Sequence, residues 1–518
     1  MTETHDCSTA TWQSNPDFES LFNPKSIAIV GASESPAGGS RYLLAMRRSG
    51  FTEKGGKIYL INPKFKGKEL FGTTAFGELR DPAIPKPVDI VIVSVPAKIV
   101  PQVVRDCQGL ARFGVIFTSG FRESGHDDVD KELRDAIFSG RTRWVGPNCL
   151  GVLDTGSRAA IYEELKMIPG NVSFVAQSGG QMMRSIMYLS SLGLGFKSAL
   201  SIGNAYDVSP SEIIDYYSRD GKTKVVAMYM EAMKDGHQLM EIAKRVTWEM
   251  PLIIWKGGSS ERGKVAAASH TAGIAGSFEV FKGACKQNGV IWADHFELFM
   301  DYVITASIRP KFPRNLNVGI VAAGGGIGVE MTDSFSNLGL NVVDLHPATQ
   351  EKLAKLFPDI NTSFKNPVDT GEYGYFPDKF AQALRLVCED PNIGSVVFVR
   401  EPERFPFLEK MFNLKNPEQQ TIESLKTIAA ESPLPMFCTP SANSDEQQNF
   451  QLRHDFQVKM IQAGIPVVNF MPNIARIIKR MYDYRQYLVK RKKELRAKES
   501  VFDPHEADDG NKKNGVVE

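Results

Sequence analysis

The sequence predicts an α/β protein built from three open domains, each with a mostly parallel sheet. Three observations carry that reading. Short β-branched runs alternate with helical patterns from residue 26 onward, the signature of βαβ units. One stretch of the chain is duplicated, NVSFVAQSGG (171–180) returning as NVGIVAAGGG (317–326). And a length of 518 residues is too great for one core and corresponds to about three domains at roughly 150 residues each.

Residues 1–24 read as a polar lead-in. The first domain, 25–150, takes its strands from SIAIVGAS (26–33), KIYLINPK (57–64), DIVIVSVP (89–96) and GVIFTSGF (114–121), and WVGPNCLGV (144–152) closes it. The duplication then supplies two related domains, 169–308 and 315–480, each opening with strand, Gly-rich turn and helix. Leu-Gly-Leu recurs at the same offset in both copies (192–194 and 338–340). Strands ending in glutamate follow, VVAMYME (225–231) and SVVFVRE (395–401). Each copy finishes with a late strand and a helix, from GVIWADHFELF (289–299) and GIPVVNFMPNIARII (464–478). The segment 485–518 reads as a basic helical stretch running into an acidic, disordered tail.

Composition narrows the function. With 42% hydrophobic and 23% charged residues the chain is an ordinary globular one. A net charge of +1 leaves no global footprint for nucleic acid or an anionic membrane, so an anionic ligand must be held by local groups. The six cysteines (7, 107, 149, 285, 388, 438) contain no CxxC pair, which points away from zinc and from a disulfide framework and toward a reducing cytoplasm. No metal site is expected. No run is long enough to span a bilayer, and the polar start of the chain has no apolar leader segment.

The first Gly-rich turn departs from a dinucleotide fingerprint. After Gly31 the next glycines are Gly38 and Gly39, and the second strand ends in Asn62-Pro63-Lys64 rather than an acid. A lysine cannot accept hydrogen bonds from a ribose 2′-hydroxyl but suits a ribose phosphate, so coenzyme A or NADP would qualify. GSSERGKV (258–265) resembles a P-loop but has Val265 where a metal-binding hydroxyl belongs. Its glycines are expected to form a mobile loop leading to His270.

His270 lies in AAASHTAGIAG (266–276), a stretch with little other chemistry. It follows the strand LIIWKGG by a short loop, while Glu231 ends the preceding strand. In parallel α/β folds such strand ends face the ligand crevice, so the two can meet there. An imidazole with one nitrogen held by a carboxylate has a fixed tautomer and a free nucleophilic nitrogen. The SGG turn (178–180) and the GPN turn (146–148) each read as a helix N-terminus, offering N–H groups and positive dipole ends to a phosphoryl group.

Taken together, GAS, NPK, VP, TSGF, GPNCLG, QSGG, YME, GK and AAASHTAGIAG resemble the α subunit of NDP-forming acyl-CoA synthetases, the ADP-forming acetyl-CoA synthetase group, and more distantly the α subunit of succinyl-CoA synthetase. The resemblance covers about residues 20 to 475. It implies a Rossmann-like CoA-binding domain followed by two flavodoxin-like domains. It also implies a ligase that interconverts carboxylate, CoA and ATP with acyl-CoA, ADP and phosphate. In that family's pattern the CoA contacts fall on Gly31, Ala32, Ser33, Lys64, Pro96 and Ser119. The phosphohistidine falls on His270, its orienting carboxylate on Glu231, and the phosphate-holding turns on Asn148 and on Ser178, Gly179 and Gly180. The nucleotide site, for ATP or ADP with Mg²⁺, is expected on a partner ATP-grasp β subunit, as an α2β2 assembly, because no segment here is left unassigned and large enough to supply one. The third domain matches in GGG and KNPVDTGEY (365–373) and departs at 401–420 and at CTPSAN (438–443).

Two rival readings are a non-catalytic CoA-binding or regulatory subunit and an NADP-linked oxidoreductase. Loss of His270 or Glu231 would favour the first, and both are present. CoA against NADP binding separates the second. Neither IGNAYD (202–207) nor IYEELK (161–166) dictates the length or charge of the acid substrate.

Overall fold

The structure is a computed structural model describing residues 17–502, apart from 163–164, 233–235, 272–276, 309–310, 359 and 442–443. It divides into two compact units, Met1–Ile242 with Ile254–Phe281, and Ala243–Ile253 with Lys282–Glu518.

The first unit opens with the strands β1 (Ser26–Val30), β2 (Lys57–Ile61), β3 (Glu69–Leu70), β4 (Thr73–Phe76), β5 (Val88–Val93), β6 (Ala111–Ile116) and β7 (Arg143–Val145). Their order is β3-β4-β2-β1-β5-β6-β7. The pairings β2–β1, β1–β5, β5–β6 and β6–β7 are all parallel, and the runs are almost wholly apolar because helices cover both faces. Trp144 is fully buried in this core with Val91, Val93, Val104 and Ile137. Its ring lies so close to Gly114 that a Cβ there would sit 2.1 Å from it. Truncating Trp144 to alanine would leave a cavity costing about 3–5 kcal/mol.

The same unit holds β8 (Gly151–Asp154), β9 (Pro169–Ala176), β10 (Phe196–Ser201), β11 (Val225–Met230) and the end of β12 (Leu252–Lys256). Their order is β12-β11-β9-β10-β8. Here β8 runs antiparallel to β10, so LGV of WVGPNCLGV leaves the first sheet and edges the second. Arg143 in β7 joins the two sheets. Its Nε donates to Asp207 Oδ1 at 2.8 Å and its Nη2 to Glu212 Oε1 at 3.0 Å.

In the second unit, β13 (Ile291–Ala293) precedes the helix Phe296–Ile308. There follow β14 (Val318–Ala322), β15 (Val368–Asp369), β16 (Ser395–Arg400) and β17 (Met436–Pro440). They form a parallel sheet ordered β15-β14-β16-β17. The duplication is visible in the backbone. Helices Gly179–Ser191 and Gly325–Asn337 are each 13 residues long and end at a leucine followed by a left-handed glycine, Gly193 (φ 71°) and Gly339 (φ 85°). A glycine at that place lets the chain reverse without a Cβ penalty. The late strand expected at 464–468 reduces to one bridge, Cys438 with Val467. The basic stretch after Arg485 continues one helix, Met471–Phe502, and the acidic end at 503–518 lies outside the described residues. The divergent stretch 401–420 folds mainly as the helix Phe405–Phe412 and the start of Pro417–Glu431.

Candidate active site

Four expected contact segments stand at the carboxyl ends of neighbouring strands in the first sheet: Gly31–Ser33 after β1, Asn62–Lys64 after β2, Ser94–Pro96 after β5 and Phe117–Ser119 after β6. β1 pairs with β2 on one side and β5 on the other, which makes this the switch point where open α/β sheets bind ligands. Gly31 has φ +98°, and a Cβ there would meet the Ser94 carbonyl at 2.0 Å. Only glycine fits. Gly39 would strike the Gly31 carbonyl at 2.9 Å, so it provides the close helix approach that the irregular glycine spacing seemed to lack. Ala32 is buried. Asn62 ties the turn together, its Nδ2 donating to Ala32 O at 2.8 Å and its Oδ1 accepting from Lys64 N. Ser40 holds the backbone of Ser33 from both sides, accepting from its N–H and donating to its carbonyl. Lys64, Pro96 and Ser119 are exposed on this edge.

The SGG turn is a helix N-terminus. Ser178 caps Gly179–Ser191, its Oγ accepting from Gln181 N, and the N–H groups of Gly179 and Gly180 have no partner within the helix. Gly179 has no room for a side chain, since its Cβ would lie 2.5 Å from Leu150 Cγ. The GPN turn is different. It was expected to start a helix, but residues 146–150 form an irregular turn with a cis Gly146–Pro147 bond and lead into β8. Asn148 there has φ 59°, a left-handed conformation that asparagine tolerates. Its N–H is spent on Thr118 O at 3.0 Å. Of these two turns, only SGG opens a helix among the described residues.

These turns are joined. Tyr42 Oη donates to Leu150 O at 3.1 Å, and Leu150 N donates to Ser201 Oγ at 3.1 Å. Next to Ser178, Gln177 Oε1 accepts from the backbone N–H of Glu231 and of Ala232, while its Nε2 donates to Ala232 O at 2.7 Å. Glu231 is buried at 6% exposure at the end of β11. Its Oε1 accepts from Tyr229 Oη at 3.1 Å. Burial, and then the Glu231 charge, push the Tyr229 phenol up, so it stays protonated and donates. Lys256, buried at the end of β12, donates to Glu231 O and Gly257 O, each at 3.3 Å. Burial and then the Lys264 charge lower its pKa. Gln177 and Tyr229 enter the sequence reading only inside QSGG and YME, and Lys256, Ser40 and Tyr42 have no role in it. The adjacency of Gln177 to SGG, and of Lys256 to the Gly-Gly after a strand, were the available signals.

The segment leading to His270 is a helix, Glu261–Thr271, rather than the mobile loop expected. Ser260 Oγ accepts from Gly263 N, Lys264 pairs with Glu261 at 2.6 Å, and the alanines that follow have the highest helix propensity. The near-miss lysine is thus engaged within its own first turn. The backbone of His270 belongs to the last turn of this helix. The side chains from 267 to 276 lie outside the described residues.

In the third sheet the two matching motifs meet at Asp369, whose Oδ1 accepts from Gly324 N and Gly371 N, both at 2.9 Å. Among the described residues no group of three or more His, Cys, Asp or Glu is placed to hold a metal ion, and no helix is long and apolar enough to cross a membrane.

Residues 25–155 match the family described as CoA binding domain, 169–306 the succinyl-CoA ligase like flavodoxin domain, and 318–401 the ligase-CoA domain. Over 382 residues the chain is 32% identical to the α subunit of the ADP-forming acetate–CoA ligase II of Pyrococcus furiosus, covering 73% of this chain and 81% of that one. It is 31% identical over 390 residues to the ADP-forming acetate–CoA ligase I of Archaeoglobus fulgidus, covering 74% of this chain but only 55% of that protein. The chain therefore spans about half the length of that relative. Among solved structures, the dinucleotide forming acetyl-coenzyme A synthetase 1 of Ca. Korarchaeum cryptofilum, in complex with phosphate and ADP, superposes with a TM-score of 0.76 at 28% identity, covering 92% of this chain and 99% of that one.

Proposed function

The chain belongs to the ADP-forming acyl-CoA ligase family, and on that premise we propose that it is the α-subunit portion of an acid–CoA ligase working through an acyl phosphate and a phosphohistidine. The observation that carries the proposal is Gln177, which joins the Ser178 helix start to the strand end bearing Glu231. A phosphoryl-holding turn and a buried carboxylate thereby stand at one end of one sheet.

In this reading domain 25–150 holds CoA through Gly31, Ala32, Ser33, Lys64, Pro96 and Ser119. In the acyl-CoA to acid direction, a phosphate oxygen attacks the thioester carbonyl and the C–S bond breaks. CoA leaves as thiolate and takes up a proton, and acyl phosphate remains. Asn148, Ser178, Gly179 and Gly180 hold its phosphoryl group. A ring nitrogen of His270 attacks phosphorus, the bond to the acyl oxygen breaks, and the carboxylate departs. Glu231 holds the other nitrogen and stabilises the imidazolium. The second copy of the duplication, 315–480, shares the architecture of 169–308.

Transfer to ADP, forming ATP with Mg²⁺, is assigned to a separate ATP-grasp β subunit in an α2β2 assembly. The α-subunit relative from Pyrococcus furiosus supports that division. The five cysteines among the described residues, all free and buried, support a reducing, cytoplasmic setting. The test is to purify the chain, verify by mass spectrometry that no other subunit accompanies it, and assay it with ATP, Mg²⁺, CoA and a panel of carboxylic acids, alone and with its co-expressed partner. Thioester synthesis is expected only with the partner. Sustained synthesis by the chain alone overturns the division of labour, and none in either preparation overturns the ligase reading.

A further inference from the structure

We infer that a cavity along the C-terminal helix Met471–Phe502 is a second ligand site, taking a small molecule that carries two or more phosphate groups. The cavity has a volume of about 440 Å³, within the range of small-molecule sites. Its lining residues all belong to the second unit. Five cations line it, Lys244, Lys286, Arg480, Lys490 and Arg491, against two carboxylates, Asp483 and Glu494. In a chain whose charges almost cancel, that is a local excess.

The pairing of those charges sharpens the case. Arg480 is held by Asp483 at 3.7 Å and stacks on Trp292, and Arg491 is held by Glu494 at 3.3 Å. Lys244, Lys286 and Lys490 have no ion-pair partner among the described residues. Lys244 and Lys286 stand in the last turns of the helices Gly236–Val246 and Phe278–Gln287, where a cation offsets the helix dipole. That explains each alone. It does not explain why both converge with Lys490, from the middle of a third helix, on one concavity. In the adjoining cleft of about 220 Å³ the cations are engaged, Lys479 with Leu338 O and Arg476 with Asn473. Of these two concavities, only the larger is lined by lysines whose ammonium groups have no partner among the described residues.

Its wall is fixed in advance. The Tyr487 ring lies on Gly289, where a Cβ would fall 2.3 Å away, and its hydroxyl meets Thr247 Oγ1 at 3.1 Å. Tyr484 Oη donates to Thr247 O. Both hydroxyls are thus used by the protein, and recognition falls to the ammonium groups. Three ammonium groups from three helices surround a compact ligand charged on several sides, which describes linked phosphates better than the single row of carboxylates on an acidic peptide.

The experiment is calorimetric titration of the full chain with inorganic tripolyphosphate, with sulfate and hexaglutamate as parallel arms at constant ionic strength. Lys286→Glu/Lys490→Glu is compared with the gentler Lys286→Met/Lys490→Met, and each variant's fold is checked by circular dichroism. Saturable tripolyphosphate binding is expected, weakened on the order of tenfold or more in both double variants, because two charge-assisted contacts are lost. Absence of binding, binding undiminished in the folded variants, equal binding of sulfate, or preference for hexaglutamate would each overturn the assignment. Because the readout is binding, failure here leaves the ligase reading untouched.

Discussion

Tyr229 Oη donates to Glu231 Oε1 at 3.1 Å, across two residues of the same strand end. The hydroxyl thus fixes one oxygen of a buried carboxylate whose backbone is already held by Gln177. A positioned carboxylate orients an imidazole only if its own rotamer is locked.

Tyr229→Phe keeps the ring packed on Trp255, 4.6 Å between centroids, and removes only the donor. A hydrogen bond to a charged group contributes about 1.5–3 kcal/mol. Rapid-quench measurement of phosphoenzyme formation should show a slowing on the order of tenfold, with the KM for CoA unchanged. An unchanged rate means that Gln177 alone suffices to place Glu231.

His270→Asn is expected to abolish turnover while leaving CoA binding and the melting temperature in place. With the partner present, labelled ATP should mark the wild type with phosphate that survives alkali and is lost in acid. An acid-stable label assigns the phosphoryl group to another side chain. Glu231→Gln should still fold and label slowly, since the tautomer is no longer held by charge.

Lys64→Glu should weaken CoA by on the order of 2 kcal/mol or more, exchanging a charge-assisted contact for repulsion. Lys64 stands exposed on the carboxyl edge beside the Asn62 bridge. Dephospho-CoA should be affected far less. Equal losses for the two ligands in a binding titration would show that Lys64 does not hold the ribose phosphate.

Burial raises the Asp301 carboxyl to about 7, against a hydrogen bond from Asn473 Nδ2 at 2.7 Å that lowers it. The unfolded value is about 3.9, so between the two the folded chain binds the extra proton. Asp301 therefore adds stability that is fully present below about pH 4 and is lost as the pH rises through about 7. Urea unfolding from acid to neutral pH should show this decline in the wild type and a flatter profile in Asp301→Asn. Parallel profiles would mean that Asp301 is already ionised when folded.

Most strands of the three sheets could be read from the sequence because each is a short apolar run ended by glycine, proline or asparagine, as SIAIVG and DIVIVSVP show. The duplicated opening was legible too, since a repeated Gly-Gly start and Leu-Gly stop impose the same helix length twice. Local pattern failed where partners decide. GPNCLGV gives no sign that its last residues turn to run antiparallel beside β10. The glycines of GSSERGKV suggested a loop, but Ser260 and the alanines that follow outweigh them. Of the proposed site, Glu231 and the Gly31 turn could be placed at strand ends from the sequence. Their supports carried less signal: Gln177 and Tyr229 were visible only inside QSGG and YME, and Ser40 and Tyr42 have no pattern of their own.

The turn at 146–148 is gripped from the other sheet: Asn204 N and Tyr206 N donate to the carbonyls of Pro147 and Gly146 at 2.9 and 3.0 Å. Gly203 lies so close that a Cβ would strike Pro147 O at 2.2 Å. The segment 203–206 is thus a mould for a stretch more than fifty residues earlier. For recombination this sets the seam. A first domain transplanted from a relative would carry its own turn into a foreign mould, and a chimera should fold only when residues 203–206 travel with it.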